Sequence, residues 1–229
     1  MRGLVSVVIP VRNGARYLGE AIESVLAQVW KREQPQLEVI VVDNGSVDAS
    51  RKVARSFGSR VLLVDEPRAG AAHARNTGVA QARGEYLAFL DADDLWAPEK
   101  LERQLSELES RSDLDMVFTF GENFPSPELT VDQRRAVDCE PAMGPFIMPS
   151  AMLARRTSFA KAGSLPDLRE GEFIAWYGVA LTMGLRSDVI PEMLLRRRVH
   201  LSNSTRVATH PADLLRAAKM VLDRKKGTA

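Results

Sequence analysis

The chain has 229 residues, of which 45% are apolar and 27% are charged, and this globular composition predicts one large core. Its 31 lysine and arginine residues nearly balance its 30 aspartate and glutamate residues, which excludes the basic footprint of a nucleic-acid-binding domain. The single cysteine, Cys139, cannot form an internal disulfide, and the chain shows no signal-peptide pattern and no apolar run of membrane-spanning length. These features predict a cytoplasmic protein, soluble or at most peripheral at the membrane.

Strands and helices alternate through the first half of the chain. β-Branched and apolar runs predict strands over residues 4–9, 37–42, 61–64 and 86–90. Apolar periodicity and alanine content predict the intervening helices over residues 15–29, 47–57 and 71–82, with Ser46 as the cap of the second helix. Such βα repeats predict an α/β fold in which a mostly parallel sheet is covered by helices on both faces.

The second half is less regular. It predicts a helix carrying Leu101, Leu105 and Leu108, a strand over residues 116–120, and loops with at most a short hairpin over residues 121–144. The later predictions are strands over residues 146–153 and 187–190, helices over 157–162 and 172–183, a linker over 203–209 and a helix over 211–226. We therefore expect one domain over residues 1–207 and a C-terminal helix over residues 208–229.

Three carboxylates follow the fourth predicted strand within four positions, at Asp91, Asp93 and Asp94. A folded interior does not accept unpaired charges, so these acids must lie at the carboxyl end of that strand. Crowded like charges there cost stability unless a divalent cation or a polyphosphate–metal complex offsets the repulsion. The run Asp91-Ala92-Asp93 therefore indicates a metal site for a phosphorylated ligand. An Asp-rich turn that caps the next helix is the alternative, and Asp94 fits that role equally well.

Ligands of parallel α/β sheets bind at the carboxyl ends of the strands, where the predicted exit loops of this chain meet. The loop sequences are Pro10-Val11-Arg12-Asn13, Asp43-Asn44-Gly45-Ser46-Val47-Asp48, Gly70 through Ala74-Arg75-Asn76-Thr77-Gly78, and Asp91-Ala92-Asp93-Asp94. In this order they resemble the family 2 glycosyltransferases with the GT-A fold, over roughly residues 5–204. The resemblance implies a nucleotide-sugar-binding half over residues 1–120 and an acceptor-binding half over residues 121–207.

The resemblance also implies a nucleotide-binding set of residues. The base and ribose would be bordered by Pro10, Val11, Arg12 and Asn13. Asp43 would accept a hydrogen bond from a ring nitrogen of uracil or another base, although a turn-forming Asp beside Asn44-Gly45 is the alternative. Arg75 would reach the diphosphate or its sugar, and its alternative is a solvated helix arginine.

The metal site follows from the same resemblance. Asp91, followed by Ala92, would hold the ribose or the sugar. Asp93 would bind Mg²⁺ or Mn²⁺ between the two phosphates. His200, near the end of the resembling region, would complete the metal or diphosphate site, and a surface or structural histidine is the alternative.

The expected catalytic base departs from the family pattern. Family members carry a Glu-Asp pair at the start of a helix after the acceptor loop, whereas this chain has Arg169-Glu170-Gly171-Glu172-Phe173. Phe173 stands where the catalytic Asp would fall. We predict Glu172 as the base and Glu170 as the second candidate. A helix amino terminus would hold Glu172 ionised, which suits a base and equally suits a capping carboxylate.

The function implied is an inverting glycosyltransferase that uses a divalent metal and a nucleoside-diphosphate sugar, with UDP as the expected nucleotide. The acceptor hydroxyl would belong to a saccharide, a lipid-linked sugar or a peptide, and the oligomeric state stays open. An inactive nucleotide-sugar-binding domain is one alternative, motivated by Phe173. A metal-dependent phosphotransfer enzyme is another, although phosphatases of the haloacid-dehalogenase type usually carry their Asp-x-Asp on the first strand. A dinucleotide dehydrogenase is disfavoured because no Gly-x-Gly-x-x-Gly follows the first strand.

Overall fold

A computed structural model describes residues 3–31, 35–137, 143–203, 215–216, 218–221 and 223–224. Cys139 and the expected linker beyond Asn203 lie outside the described residues. Of the expected C-terminal helix, residues 215–216, 218–221 and 223–224 are described, and they are helical. Across the described ranges, none of the helices combines the length and the hydropathy that a membrane crossing requires.

A single sheet runs through the described part of the chain. Its strands are β1 Val5–Val11, β2 Leu37–Asp43, β3 Val61–Asp65, β4 Tyr86–Phe89, β5 Leu95–Trp96, β6 Met116–Pro125, β7 Gly144–Phe146, β8 Leu153–Arg155 and β9 Ser187–Val199. They lie in the order β3-β2-β1-β4-β8-β6-β9-β5, with β7 beside β6. The strands β1 to β4 pair in parallel, β8 is antiparallel to both β4 and β6, and β6 pairs in parallel with β9. The predicted α/β class with parallel strands at its centre is confirmed.

Helices cover this sheet and bury its apolar side chains. They are α1 Leu18–Leu26, α2 Ser50–Ser56, α3 Ala71–Gln81, α4 Lys100–Ser110, α5 Val131–Ala136, α6 Arg156–Ala162 and α7 Glu172–Thr182. Helix α3 buries the small residues Ala72, Ala74 and Gly78 instead of a stripe of large apolar residues. Its backbone therefore lies close to β1 and β2, and this places the start of α3 beside the carboxyl ends of both strands.

The structure corrects two details of the first half. Helix α1 begins at Leu18, so it has about two and a half turns and not the predicted four. Ser46 does not cap α2, which begins at Ser50 after Ala49. The Ser46 hydroxyl instead accepts the Asn13 N–H at 2.9 Å. Local sequence favoured a helix cap at Ser46, but the tertiary approach of the β1 and β2 exit loops gives this hydroxyl another partner.

Larger corrections fall in the second half. Strand β6 continues to Pro125 because β9 pairs with it across a register shift, and α5 then begins at a capping box formed by Thr130 and Gln133. The loops predicted for residues 121–144 are thus wrong in part. The strand predicted over residues 146–153 is also wrong, because a 3₁₀ turn at Pro149–Ala151 separates β7 from β8. The final predicted strand extends well beyond residue 190, to Val199.

We predict that Gly78→Ala destabilises the fold. An added Cβ at Gly78 would overlap Val8 Cγ1 and lie 3.2 Å from Val42 Cγ2, and both valines are fully buried. The overlap should lower the free energy of unfolding by about 1–3 kcal/mol, although alanine is about 1 kcal/mol better than glycine in a helix. The melting temperature, followed by circular dichroism, should fall by roughly 2–4 °C per kcal/mol.

Gly19→Ala in α1 is the matched control for this prediction. The nearest atom to its added Cβ is Val53 Cγ1 at 3.8 Å, an ordinary contact. This variant should be as stable as the parent or more so. Equal melting temperatures for Gly78→Ala and the parent would contradict the close packing of α3.

Candidate active site

The carboxyl ends of β1, β2 and β4 and the turn after β9 surround an open cleft of about 840 Å³. The cleft lining brings together nine residues that the sequence singled out: Pro10, Val11, Arg12, Asn13, Arg75, Asp91, Ala92, Asp93 and His200. Three further predicted site residues, Asp43, Glu170 and Glu172, are outside the described lining. The motif-bearing loops of the predicted βα units therefore meet in one cleft. They do so because β1 to β4 are parallel and end at the same edge of the sheet.

Asp93 and His200 are 107 residues apart in the sequence and are in contact in the structure. His200 Nε2 lies 2.9 Å from Asp93 Oδ2, and the Asn203 side-chain amide donates to the same oxygen at 3.2 Å. Asn203 also accepts the His200 N–H at 2.6 Å, which fixes the turn that presents the imidazole. Within the described residues, no group of three His, Cys, Asp or Glu side chains is placed to hold a metal ion. Asp93 and His200 are therefore a pair of side chains in contact with each other.

Asp94 turns away from this pair and is buried. Its Oδ1 accepts the Arg198 N–H at 3.1 Å, and its own N–H donates to the Asp91 carbonyl at 3.0 Å. Burial raises the pKa of Asp94 well above its ordinary value, and the charges of Asp93 and Asp91 add to this rise. The contacts of Asp94 fasten the acidic turn to β9, and Asp94 does not cap the next helix, α4, which begins at Lys100 after Glu99.

Arg198 is a buried arginine that the sequence analysis missed. Its Nε donates to the Asp93 carbonyl at 2.9 Å and its NH2 group to Glu20 at 2.6 Å. The guanidinium also lies 4.8 Å from the centre of the Tyr17 ring, and that ring is 5.0 Å from the His200 ring. The signal was the run Arg196-Arg197-Arg198 just before His200. These arginines lie in β9, a strand that we predicted to end at residue 190.

Asp43 ends β2 and is 1% exposed. Its Oδ2 accepts the Ser46 N–H at 3.4 Å and faces an Arg51 nitrogen at 3.6 Å. Its Oδ1 is buried and has no hydrogen-bond partner among the described residues. A buried carboxylate oxygen without a donor is costly.

The loops after β1 and β2 are locked together beside Asp43. The Asn13 side-chain oxygen accepts the Val47 N–H at 2.9 Å, and the Asn13 N–H in turn donates to Ser46. Asn13 has φ 55°, a left-handed conformation that asparagine tolerates better than most residues. Its side chain therefore holds the loop that carries Arg12, directly after β1.

Arg75 is buried, which excludes the solvated helix arginine considered above. Its NH1 donates to Glu172 Oε1 at 2.6 Å and its NH2 to Asp91 Oδ1 at 2.7 Å. Burial alone would lower the pKa of Arg75, but Asp91 and Glu172 outweigh it and raise this pKa. The guanidinium thus joins an acid of the cleft to the first residue of α7.

Phe173, at the start of α7, points into the core. It is buried, and its ring lies 5.7 Å from that of Trp176 and 6.2 Å from that of Phe118. Glu128, which follows β6 and which the sequence analysis missed, lines the cleft. Burial opposes ionisation of Glu128, but hydrogen bonds from Ser126 and Tyr17 outweigh burial and lower its pKa to about 2.

Comparisons with known proteins place these features in a family. Residues 6–163 match the sequence profile described as Glycosyl transferase family 2. The chain is 29% identical to an uncharacterised glycosyltransferase of Rickettsia typhi, over 90% of this chain and 67% of that protein. It is 30% identical to the glycosyltransferase GlyG of Streptococcus pneumoniae, over 69% of this chain and 59% of that protein. The chain therefore spans about two thirds or less of the length of these relatives.

Solved structures agree in fold. Residues 1–349 of S. aureus TarS in complex with UDP-GlcNAc match with a TM-score of 0.78 at 17% identity, over 96% of this chain and 66% of that one. The mannosyltransferase PcManGT of Pyrobaculum calidifontis, in complex with GDP-Man and Mn²⁺, matches with a TM-score of 0.67 at 24% identity, over 87% of this chain and 58% of that one. These matches confirm the predicted GT-A fold. Since the family profile also covers more than half of the sequence, the chain belongs to glycosyl transferase family 2.

Proposed function

We propose that this chain transfers a sugar from a UDP-linked donor to an acceptor hydroxyl, with inversion at the anomeric carbon and with a bound divalent cation. The observation that carries the proposal is the contact of Asp93 with His200 in the cleft that the predicted motif loops line. The family match supports sugar transfer, and the choice of UDP follows the UDP-GlcNAc complex of TarS.

The chemistry of the donor explains why acids crowd this cleft. When a nucleoside diphosphate leaves an anomeric carbon, negative charge grows on the leaving phosphate, and a bound cation stabilises that charge. Asp93 and His200 would hold Mg²⁺ or Mn²⁺, because Mg²⁺ in phosphate sites typically uses one or two carboxylates and completes its shell with phosphate oxygens and water. Arg198 and Asn203 hold the Asp93 backbone and side chain in place through their hydrogen bonds. PcManGT, which has this fold, is in complex with Mn²⁺.

Glu172 is our proposal for the base that takes the acceptor proton. It begins α7, its side chain is 13% exposed, and it contacts Arg75, which lines the cleft. Arg75 bonds to its Oε1, and in this proposal Oε2 would accept the hydrogen of a substrate hydroxyl. Inversion needs one such carboxylate on the face opposite the diphosphate.

An inactive nucleotide-sugar-binding domain is the second candidate, because Phe173 lies in the core where family members carry their catalytic Asp. A metal-dependent phosphotransfer enzyme receives less support, since Arg75 occupies Asp91 Oδ1, the acid such an enzyme would use as its nucleophile.

The first test of the proposal concerns the metal. Mn²⁺ and UDP together should raise the melting temperature more than the sum of their separate effects, because in this proposal they share one site. A ligand at 100 times its Kd stabilises the native state by about 2.7 kcal/mol. Asp93→Asn should abolish this joint effect in thermal-shift measurements. Asp113→Asn, at an exposed ion pair with Arg186, is the control and should respond like the parent. A normal response of Asp93→Asn would place the metal elsewhere.

The second test concerns the nucleobase of the donor. In this proposal Asp43 Oδ1 accepts the ring N–H of uracil, whereas cytosine presents a ring nitrogen without a hydrogen at the same position. A hydrogen bond to a charged group contributes about 1.5–3 kcal/mol, so UDP should bind about 10- to 100-fold more tightly than CDP in calorimetry. Asp43→Asn should reduce this preference below about threefold, by the same reasoning. Equal affinities of the parent for UDP and CDP would remove this role from Asp43.

The third test concerns Glu172. Glu172→Gln keeps size and hydrogen bonding but removes basicity, so kcat should fall by about 10²- to 10⁴-fold while KM for the donor stays near that of the parent. Glu170→Gln, two residues earlier, is the matched comparison and should retain most activity. Proton NMR of the product should show an inverted anomeric centre. Full activity of Glu172→Gln, or a retained configuration, would refute the assignment; binding of UDP without any transfer by the parent would favour the inactive domain.

A further inference from the structure

Arg75 has an unusual set of partners for an arginine in a nucleotide cleft. It lies in α3 and reaches Glu172, 97 residues away in α7, as well as Asp91 in the turn after β4. Both distances, 2.6 Å and 2.7 Å, are those of charge-assisted hydrogen bonds. Arg75 is 5% exposed, and its Nε is buried without a partner among the described residues.

These contacts are unfavourable for binding a diphosphate. Each terminal nitrogen already donates one of its hydrogens to a carboxylate. The three side chains together carry one positive and two negative charges, so the group as a whole repels a phosphate. The expectation that Arg75 reaches the diphosphate therefore conflicts with its surroundings.

A second set of contacts fixes α3 against the acceptor half. The Asn76 side chain donates to the Leu165 carbonyl at 2.8 Å and accepts the Leu165 N–H at 3.0 Å. Leu165 lies between α6 and α7, so this pair holds the segment that leads to Glu172. Asn76 thus fastens the segment before Glu172, and its neighbour Arg75 fastens the Glu172 carboxylate itself.

We propose that Arg75 is a positioning residue: it holds Asp91 on the donor side and Glu172 on the acceptor side in one fixed arrangement, and it does not bind the diphosphate. This inference deepens the function proposed above and depends on it for the role of Glu172. The planar guanidinium can bridge two carboxylates at once, whereas a lysine ammonium is a point charge on a flexible stem.

The binding test asks whether Arg75 contacts the diphosphate. The measured quantity is the ratio of the Kd of uridine to that of UDP, determined by calorimetry with Mn²⁺ present. The variant is Arg75→Met combined with Glu172→Gln, which leaves the net charge of the three positions at minus one. We expect the ratio to stay within about threefold of that of the parent. A phosphate contact by Arg75 would lower it about tenfold or more, since a charge-assisted hydrogen bond would be lost.

The turnover test asks whether Arg75 acts through Glu172. Arg75→Lys and Arg75→Met should each lower kcat by about tenfold or more while KM for the donor changes less. The double variant Arg75→Met with Glu172→Gln should be no slower than Glu172→Gln alone, because residues that act as a unit are not additive. Losses that multiply in the double variant would show that Arg75 acts independently of Glu172 and would overturn the proposal.

Arg83→Met is the matched control for both tests. Arg83 also pairs with a carboxylate, Glu38, at 2.7 Å, but it lies at the opposite end of the sheet from the cleft. It should leave the binding ratio and kcat unchanged. If the parent transfers no sugar, the proposed function is wrong, but the binding test still applies to Arg75. A tenfold fall in the ratio of the Kd of uridine to that of UDP would overturn the positioning role of Arg75. An unchanged ratio would support it.

Discussion

The crowding of carboxylates at the end of β4 is the constraint on which the rest of the site depends. Three acids within four positions cannot remain unpaired at the edge of a buried strand. Each receives a partner from a different part of the chain: Asp91 from α3, Asp93 from the turn after β9, and Asp94 from the β9 backbone. The need to compensate these charges thus joins the two halves of the molecule at one point.

The compensation is uneven, and this has a chemical consequence. Burial raises the pKa of Asp94, and its hydrogen bond from the Arg198 N–H makes this acid a fastening point. Asp91 is neutralised by Arg75. Asp93 lines the cleft, and of the three acids it is the one whose carboxylate contacts an imidazole, that of His200.

The two parts of the chain differ in how closely they follow the family. The family profile ends at residue 163, before Glu170 and Glu172. Beyond that point Phe173 lies in an aromatic cluster where the resemblance led us to expect a carboxylate. Glu128, Leu129 and Gln133, which follow β6 and lie in or before α5, line the cleft, and Glu128 is held there by Tyr17 and Ser126.

The sequence by itself determined the βα units, the parallel centre of the sheet and the convergence of Asp91 and Asp93 with the other motif loops. Local apolar periodicity and the rule that strand ends meet at one edge are sufficient for these features. It also singled out His200 and Glu172, but only through the family resemblance.

Only the tertiary structure decided which partners these residues take. The length of β9 depends on its pairing with β6, so the burial of Arg198 was invisible in a run of three arginines. The bridge from Arg75 to Glu172 joins positions 97 residues apart, and no local pattern encodes it. The orphaned oxygen of Asp43 likewise follows from how two loops pack. Periodicity reports which face of an element is buried, whereas the pairing of charges depends on distances that exist only once the chain has folded.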